Sequence, residues 1–113
     1  MSFLLGLAGF LLTIGIIVIV HEGGHFFTAK FFNIKVTRFS FGMGPVLWRR
    51  RKGETEYCFS ALPLGGYVRM ADEADADLTE EDRSRLYTRQ ARWKRGLVLF
   101  AGPATNFVLA FFL

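Results

Sequence analysis

His21 and His25 stand four residues apart, with Glu22 beside the first, in the run His21-Glu22-Gly23-Gly24-His25, and they are the only two histidines. On an α-helix, residues four apart return to the same face, so both imidazoles can hold one cation. Neutral imidazoles bind zinc at about 2.0–2.1 Å, and a catalytic zinc site takes three protein ligands with one position left for water. The pKa of a water bound in this way falls to about 7, which makes hydroxide available at neutral pH. Glu22 is then placed to take the proton of that water during attack on a peptide carbonyl and to pass it to the leaving amine. His21 and His25 are therefore the candidate Zn2+ ligands, and Glu22 the candidate catalytic acid–base. The bland alternative, two histidines hydrogen-bonded inside a helix bundle, fits the intact HExxH spacing less well.

The elements that must position these side chains are apolar. The chain has 113 residues, 51% of them hydrophobic, which bounds it to at most one domain. The apolar residues fall in two blocks. Residues 3–20 carry no charge, and Thr13 is their only polar side chain. A helix of that length rises about 27 Å, close to the hydrocarbon thickness of a bilayer. A cleavable signal peptide fits poorly, because no positive charge precedes the run and no small-residue cleavage site follows it. Ionisable groups at membrane depth are costly, so His21, Glu22 and His25 at the end of such a helix read as functional. The second block, residues 97–113, closes on Phe107-Val108-Leu109-Ala110-Phe111-Phe112-Leu113. The expectation is the front part of a longer, polytopic α-helical membrane protein.

Charge sets the expected orientation. All 14 Lys and Arg lie from Lys30 to Arg95, between the two blocks. Under the positive-inside rule residues 33–96 belong on the cytoplasmic side and the N-terminus outside, in a multi-pass protein of the cell (inner) membrane. The net charge of +4 points to anionic lipid headgroups and not to nucleic acid, since Trp48-Arg49-Arg50-Arg51-Lys52 joins an interfacial aromatic to a cationic run. Cys58 has no partner for a disulfide and reads as a plain apolar residue.

Between the blocks the pattern changes. The first helix is expected to fill residues 1–32, with Asn33 as its stop. Residues 33–70 read as a small antiparallel β element beside the membrane. It comprises a strand over 34–41, a turn at Gly42-Met43-Gly44-Pro45, a second strand over 55–62 ending at Pro63, and a third piece at Tyr67-Val68-Arg69-Met70. Residues 71–96 read as a solvated acidic loop followed by a basic interfacial helix, capped by Thr79 and starting at Glu80, with Leu86, Trp93 and Leu97 along one side. The second membrane helix is expected from residue 97. Gly102-Pro103 should break or kink it, because Pro103 lacks an N–H and crowds the carbonyl of Leu99. Asn106, one turn deeper, suits a hydrogen bond to substrate backbone or to a developing oxyanion, and equally a buried amide that holds helices together. Gly23 and Gly24 leave a small, open helix face where another helix or a substrate fits closely.

Four stretches together resemble the site-2 protease family of intramembrane zinc metalloproteases, especially its bacterial regulator-of-sigma-E branch. They are the HExxH run, Phe41-Gly42-Met43-Gly44-Pro45, Pro63-Leu64-Gly65-Gly66-Tyr67-Val68-Arg69-Met70, and Ala101-Gly102-Pro103-Ala104-Thr105-Asn106-Phe107. The resemblance implies cleavage of transmembrane segments of membrane-anchored regulators, an aspartate in a later helix as third zinc ligand, and a PDZ-bearing region between the second and third helices. Neither of the last two lies in these residues, so alone they are not expected to bind zinc tightly or to cleave. The resemblance also assigns a substrate-binding strand edge to Phe41, Gly42, Met43 and Gly44, where an unwound substrate would add as a strand. The residues themselves read equally as a Gly-Pro turn. The alternative function is a non-catalytic membrane scaffold or metal-binding regulator derived from such a protease.

Overall fold

A computed structural model describes residues 2–75 and 78–112. Helix α1 (Ser2–Phe31) leads into strands β1 (Val36–Lys52) and β2 (Thr55–Met70), then a short helix α2 (Glu80–Ser84), a 3-10 turn at Tyr87–Arg89, and helix α3 (Arg92–Phe112). In its most apolar stretch α1 is only 6% buried and α3 only 11%. The core helix of a soluble protein would be mostly covered. Both helices are long and apolar enough to cross a membrane.

The stop after α1 follows from local chemistry. Asn33 takes φ 59°, the left-handed conformation that asparagine tolerates better than most residues. The Asn33 N–H then donates to Lys30 C=O at 3.0 Å and the Ile34 N–H to Ala29 C=O at 2.9 Å, closing the last turn in a Schellman arrangement. Ile34 is driven into the core with Phe26, Ala29, Val36 and Val98. Full burial of a side chain such as Ile34 or Val36 contributes about 1.5–3 kcal/mol. This core ties α1, the sheet and α3 together one turn beyond His21 and His25.

The sheet departs from the sequence expectation. Gly42-Met43-Gly44-Pro45 does not reverse the chain, and Pro63 does not end the second strand. Instead, β1 and β2 form one long antiparallel hairpin that turns at Gly53-Glu54, with Lys52 opposite Thr55. Gly42, Gly44 and Gly65 all have positive φ, and the register shifts there. The glycines and prolines bend the strands through bulges. The bends let residues 38–41 pair with 66–69 on one flank and step in register beside 56–59 on the other, so Phe41 lies opposite both Gly66 and Phe59. The cationic run from Arg49 to Lys52 is itself part of β1, a strand that the sequence reading left out.

The expected single basic helix from Glu80 is also broken up. Thr79 does cap α2, in a capping box with Asp82. The helix stops because Arg85 and Leu86 have stronger tertiary partners. The Arg85 C=O accepts from Lys35 N–H, its guanidinium forks onto both oxygens of Glu54 at 2.7 and 2.8 Å, and Leu86 is fully buried. Basic residues Arg92, Lys94 and Arg95 belong to the first turn of α3, which starts at Arg92 and not at residue 97. Pro103 lies inside α3 without breaking it. Residues 76 and 77, part of the expected acidic loop, lie outside the described residues; around them Asp75 pairs with Arg69, Glu73 with Arg89 and Asp82 with Lys35.

Candidate metal centre

α3 runs antiparallel along α1, and the closest approach is at Gly24. A Cβ at that position would lie 2.5 Å from the Ala101 carbonyl oxygen and 2.5 Å from Thr105 Oγ1. Only a glycine admits α3 this near. The Thr105 hydroxyl is also 3.0 Å from the Val20 carbonyl oxygen, which marks the same contact from the other side. At the far end Phe32 meets Trp93 edge-on, with centroids 5.7 Å apart.

This close approach places α3 behind both imidazoles. His25 Nδ1 lies 2.7 Å from the Val98 carbonyl oxygen. A carbonyl only accepts, so Nδ1 carries the proton and Nε2 presents a lone pair, the arrangement a ligating histidine needs. His21 Nδ1 lies 3.1 Å from the Asn106 side-chain amide. The two Nε2 atoms face each other at 3.2 Å. Two nitrogens bound tetrahedrally to one zinc at the usual length stand about 3.3–3.4 Å apart. The observed separation therefore fits a shared cation.

Gly102 lies directly against the pair. A methyl group built there would sit 2.8 Å from His21 Nε2 and 2.7 Å from His25 Cε1, and nearer still to His25 Nε2. Any side chain at position 102 would thus collide with both imidazoles. The residues present fit a zinc ion with two ligands. Among the described residues no third His, Cys, Asp or Glu completes a three-ligand set.

Glu22 is half-buried on the sheet side of α1. Gly66 of β2 approaches that face: a Cβ there would be 3.0 Å from Val18 and 3.7 Å from Glu22 Cγ. Phe41 packs lower, its ring 3.3 Å from where a Gly15 Cβ would stand. Of the four residues expected to offer a strand edge, Phe41 is paired on both flanks, and Gly42 is buried with its carbonyl accepting from the Ser40 hydroxyl. Met43 and Gly44 are exposed. In the described pairing the outer flank of residues 66–69 has no strand beside it, and Gly66 in this stretch stands close to Glu22. The Gly65-Gly66 doublet was the sequence signal for this close approach. Asn106 is brought to His21, while Val98 lies outside every motif and Gly102 reads in the sequence, with Pro103, as a helix breaker.

Two imidazoles at helical spacing lie on a helix long enough to cross a bilayer, backed by a second such helix, in the arrangement of an HExxH metal site. The chain belongs to peptidase family M50, whose family model matches residues 9–113. It is 42% identical, over 99% of its length, to the regulator of sigma-E protease RseP of Escherichia coli (strain K12), of which it covers 25%. It is 43% identical over 99% of its length to the regulator of sigma E protease of Haemophilus influenzae, covering 26% of that protein. A Vibrio cholerae protein assigned by name to the zinc metalloproteases is 42% identical over 91% of this chain, which covers 23% of it. The chain thus spans about a quarter of the length of these relatives. The resemblance to site-2 proteases is borne out, and zinc is the metal that the family's names carry.

Proposed function

We propose that these residues form the zinc-binding front part of an intramembrane metalloendopeptidase that cuts transmembrane segments of membrane-anchored regulators. The observation that carries this reading is the approach of His21 Nε2 to His25 Nε2 at 3.2 Å, the separation that two imidazoles sharing one zinc ion require. When bound, zinc supplies a Lewis acid and a water acidified to a pKa of about 7. His21 and His25 hold the ion through Nε2, and an aspartate from a later helix is the third ligand. Glu22 takes the water's proton and delivers it to the leaving amine.

The sheet serves the substrate. A helical substrate hides its peptide groups in its own hydrogen bonds and has to be drawn out as a strand, which a free strand flank beside Glu22 can receive. Residues 66–69 offer that flank, and the exposed bend at Met43 and Gly44, with Phe41 and Gly42 beneath it, shapes the approach. Trp48 and the cations from Arg49 to Lys52, exposed along β1, rest on anionic lipid headgroups. The chain between the two long helices then enters from the cytoplasmic side of the inner membrane, with Phe41 and Gly66 reaching down beside Gly15 and Val18, and the N-terminus lies outside.

The deciding experiment uses the complete gene product in membranes with a helical transmembrane substrate. Zinc-dependent cleavage, lost on Glu22→Gln while zinc content and insertion persist, is the expected result. Undiminished cleavage by that variant would rule out the assigned acid–base role. A wild type that binds zinc but cleaves nothing would favour the scaffold alternative.

A further inference from the structure

Two proton arrangements satisfy the contacts around His21. In the first, His21 carries its proton on Nε2, donates it to His25 Nε2 at 3.2 Å, and accepts at Nδ1 from Asn106 Nδ2 at 3.1 Å. That arrangement spends both Nε2 positions on each other. It also leaves Asn106 Oδ1 buried without a donor, a group whose desolvation costs about 1–3 kcal/mol.

In the second arrangement the Asn106 amide is turned by half a rotation about its last torsion. Oδ1 then accepts from His21 Nδ1–H and His21 Nε2 is freed of its proton, while the Nδ2 group takes the position that Oδ1 held. His25 already has the matching form, fixed by the Val98 carbonyl. Both Nε2 atoms then carry a lone pair and no proton, as two imidazoles sharing one cation require.

We infer that Asn106 is a positioning residue for His21: its amide oxygen selects the Nδ1–H tautomer and so makes His21 a zinc ligand. The inference rests on the function proposed above. It departs from the substrate-side role that the sequence suggested for Asn106. It also gives α3 a simple logic. Val98, Gly102 and Asn106 follow one another at intervals of four residues along one face, so the two positions that contact His25 and His21 stand eight residues apart and bracket the pair. Gly102, between them, has no side chain to collide with either imidazole.

The test measures the zinc dissociation constant of the complete gene product by competition with a chelator. Asn106→Ala should weaken zinc binding about 10- to 100-fold, the usual effect of losing an outer partner of a metal-bound histidine. Asn106→Asp should hold zinc within a few-fold of wild type, because a carboxylate accepts Nδ1–H equally well. Should Asn106→Ala fail to fold, the Asp variant and 15N-histidine spectra of the zinc-loaded wild type decide, with the Nδ1–H form expected for His21. Wild-type affinity in the Ala variant, Ala-like weakness in a folded Asp variant, or the Nε2–H form in those spectra would overturn the inference alone. A wild type without stoichiometric zinc would overturn the proposed function and this inference with it.

Discussion

The Nδ1 atom of His25 on α1 is 2.7 Å from the carbonyl oxygen of Val98 on α3, 73 residues later in the chain. A main-chain acceptor orients this ligand, so the orientation depends on where α3 lies and not on the side chain at position 98. The metal centre is consequently a property of two packed helices, although the HExxH run is confined to one.

Helix packing at Gly24 should therefore control zinc binding without touching a ligand. Gly24→Val pushes a branched side chain into the Ala101 carbonyl and Thr105 hydroxyl, and overpacking of this kind costs about 1–3 kcal/mol. Gly23→Ala meets nothing within 4 Å and should leave both stability and zinc content unchanged. Thermal unfolding and metal analysis of the two variants side by side check this. Equal behaviour would mean that α3 does not dock at Gly24.

Gly102→Ala is expected to abolish stoichiometric zinc, because its methyl group would press on both Nε2 atoms and force the imidazoles out of their shared geometry. The helix should still form, since alanine is the better helix former. Zinc per polypeptide, measured after purification with circular dichroism as the folding control, reads this directly. Full zinc occupancy in the variant would show that the ion sits elsewhere.

Acid should loosen the clamp between the hairpin tip and the segment before α3. The hydrogen bonds from Arg85, helped by Lys30, hold the Glu54 carboxyl below its ordinary range against the opposing effect of burial. A carboxyl whose pKa is depressed on folding stabilises fully above its unfolded value, about 4.3 for glutamate, and loses that contribution as pH falls through the lower folded value. Glu54→Gln should cost about 1 kcal/mol or less at neutral pH, given partial exposure of the pair. The difference in unfolding midpoint from wild type should shrink steadily in acid. A gap that stays constant to low pH would assign the loss to something other than charge.

Replacing Arg49, Arg50, Arg51 and Lys52 with glutamine should weaken binding to vesicles containing anionic lipid by about 1 kcal/mol per residue near the surface, and more salt should reproduce the loss. Vesicles of neutral lipid should show no difference. Binding that is indifferent to both changes would remove headgroups as a partner of this strand.

Much of this arrangement was legible in the residues, for identifiable reasons. The run 3–20 was legible from its uncharged length and the HExxH spacing from the 3.6-residue helical repeat, and Asn33 marked the end of α1 because few other residues accept its backbone angles. The sheet was misjudged where glycine and proline usually signal reversal. At Gly42, Gly44, Pro63 and Gly65 the chain bends within a strand, a choice made by pairing partners 14 to 25 residues away. The helix expected from Glu80 failed for a similar reason, as its propensity lost to the distant partners Lys35 and Glu54. Val98 carried no signal at all. Its contribution is a backbone oxygen, which every residue has.

The length of α1 has a last consequence. Thirty residues of helix extend about 45 Å, roughly half as long again as the hydrocarbon layer. With residues 3–20 filling that layer, His21 and His25 fall where oily and aqueous surroundings meet. The proposed hydrolysis consumes a solvent molecule at every turnover, and at this level the supply can arrive from the aqueous surroundings without traversing lipid.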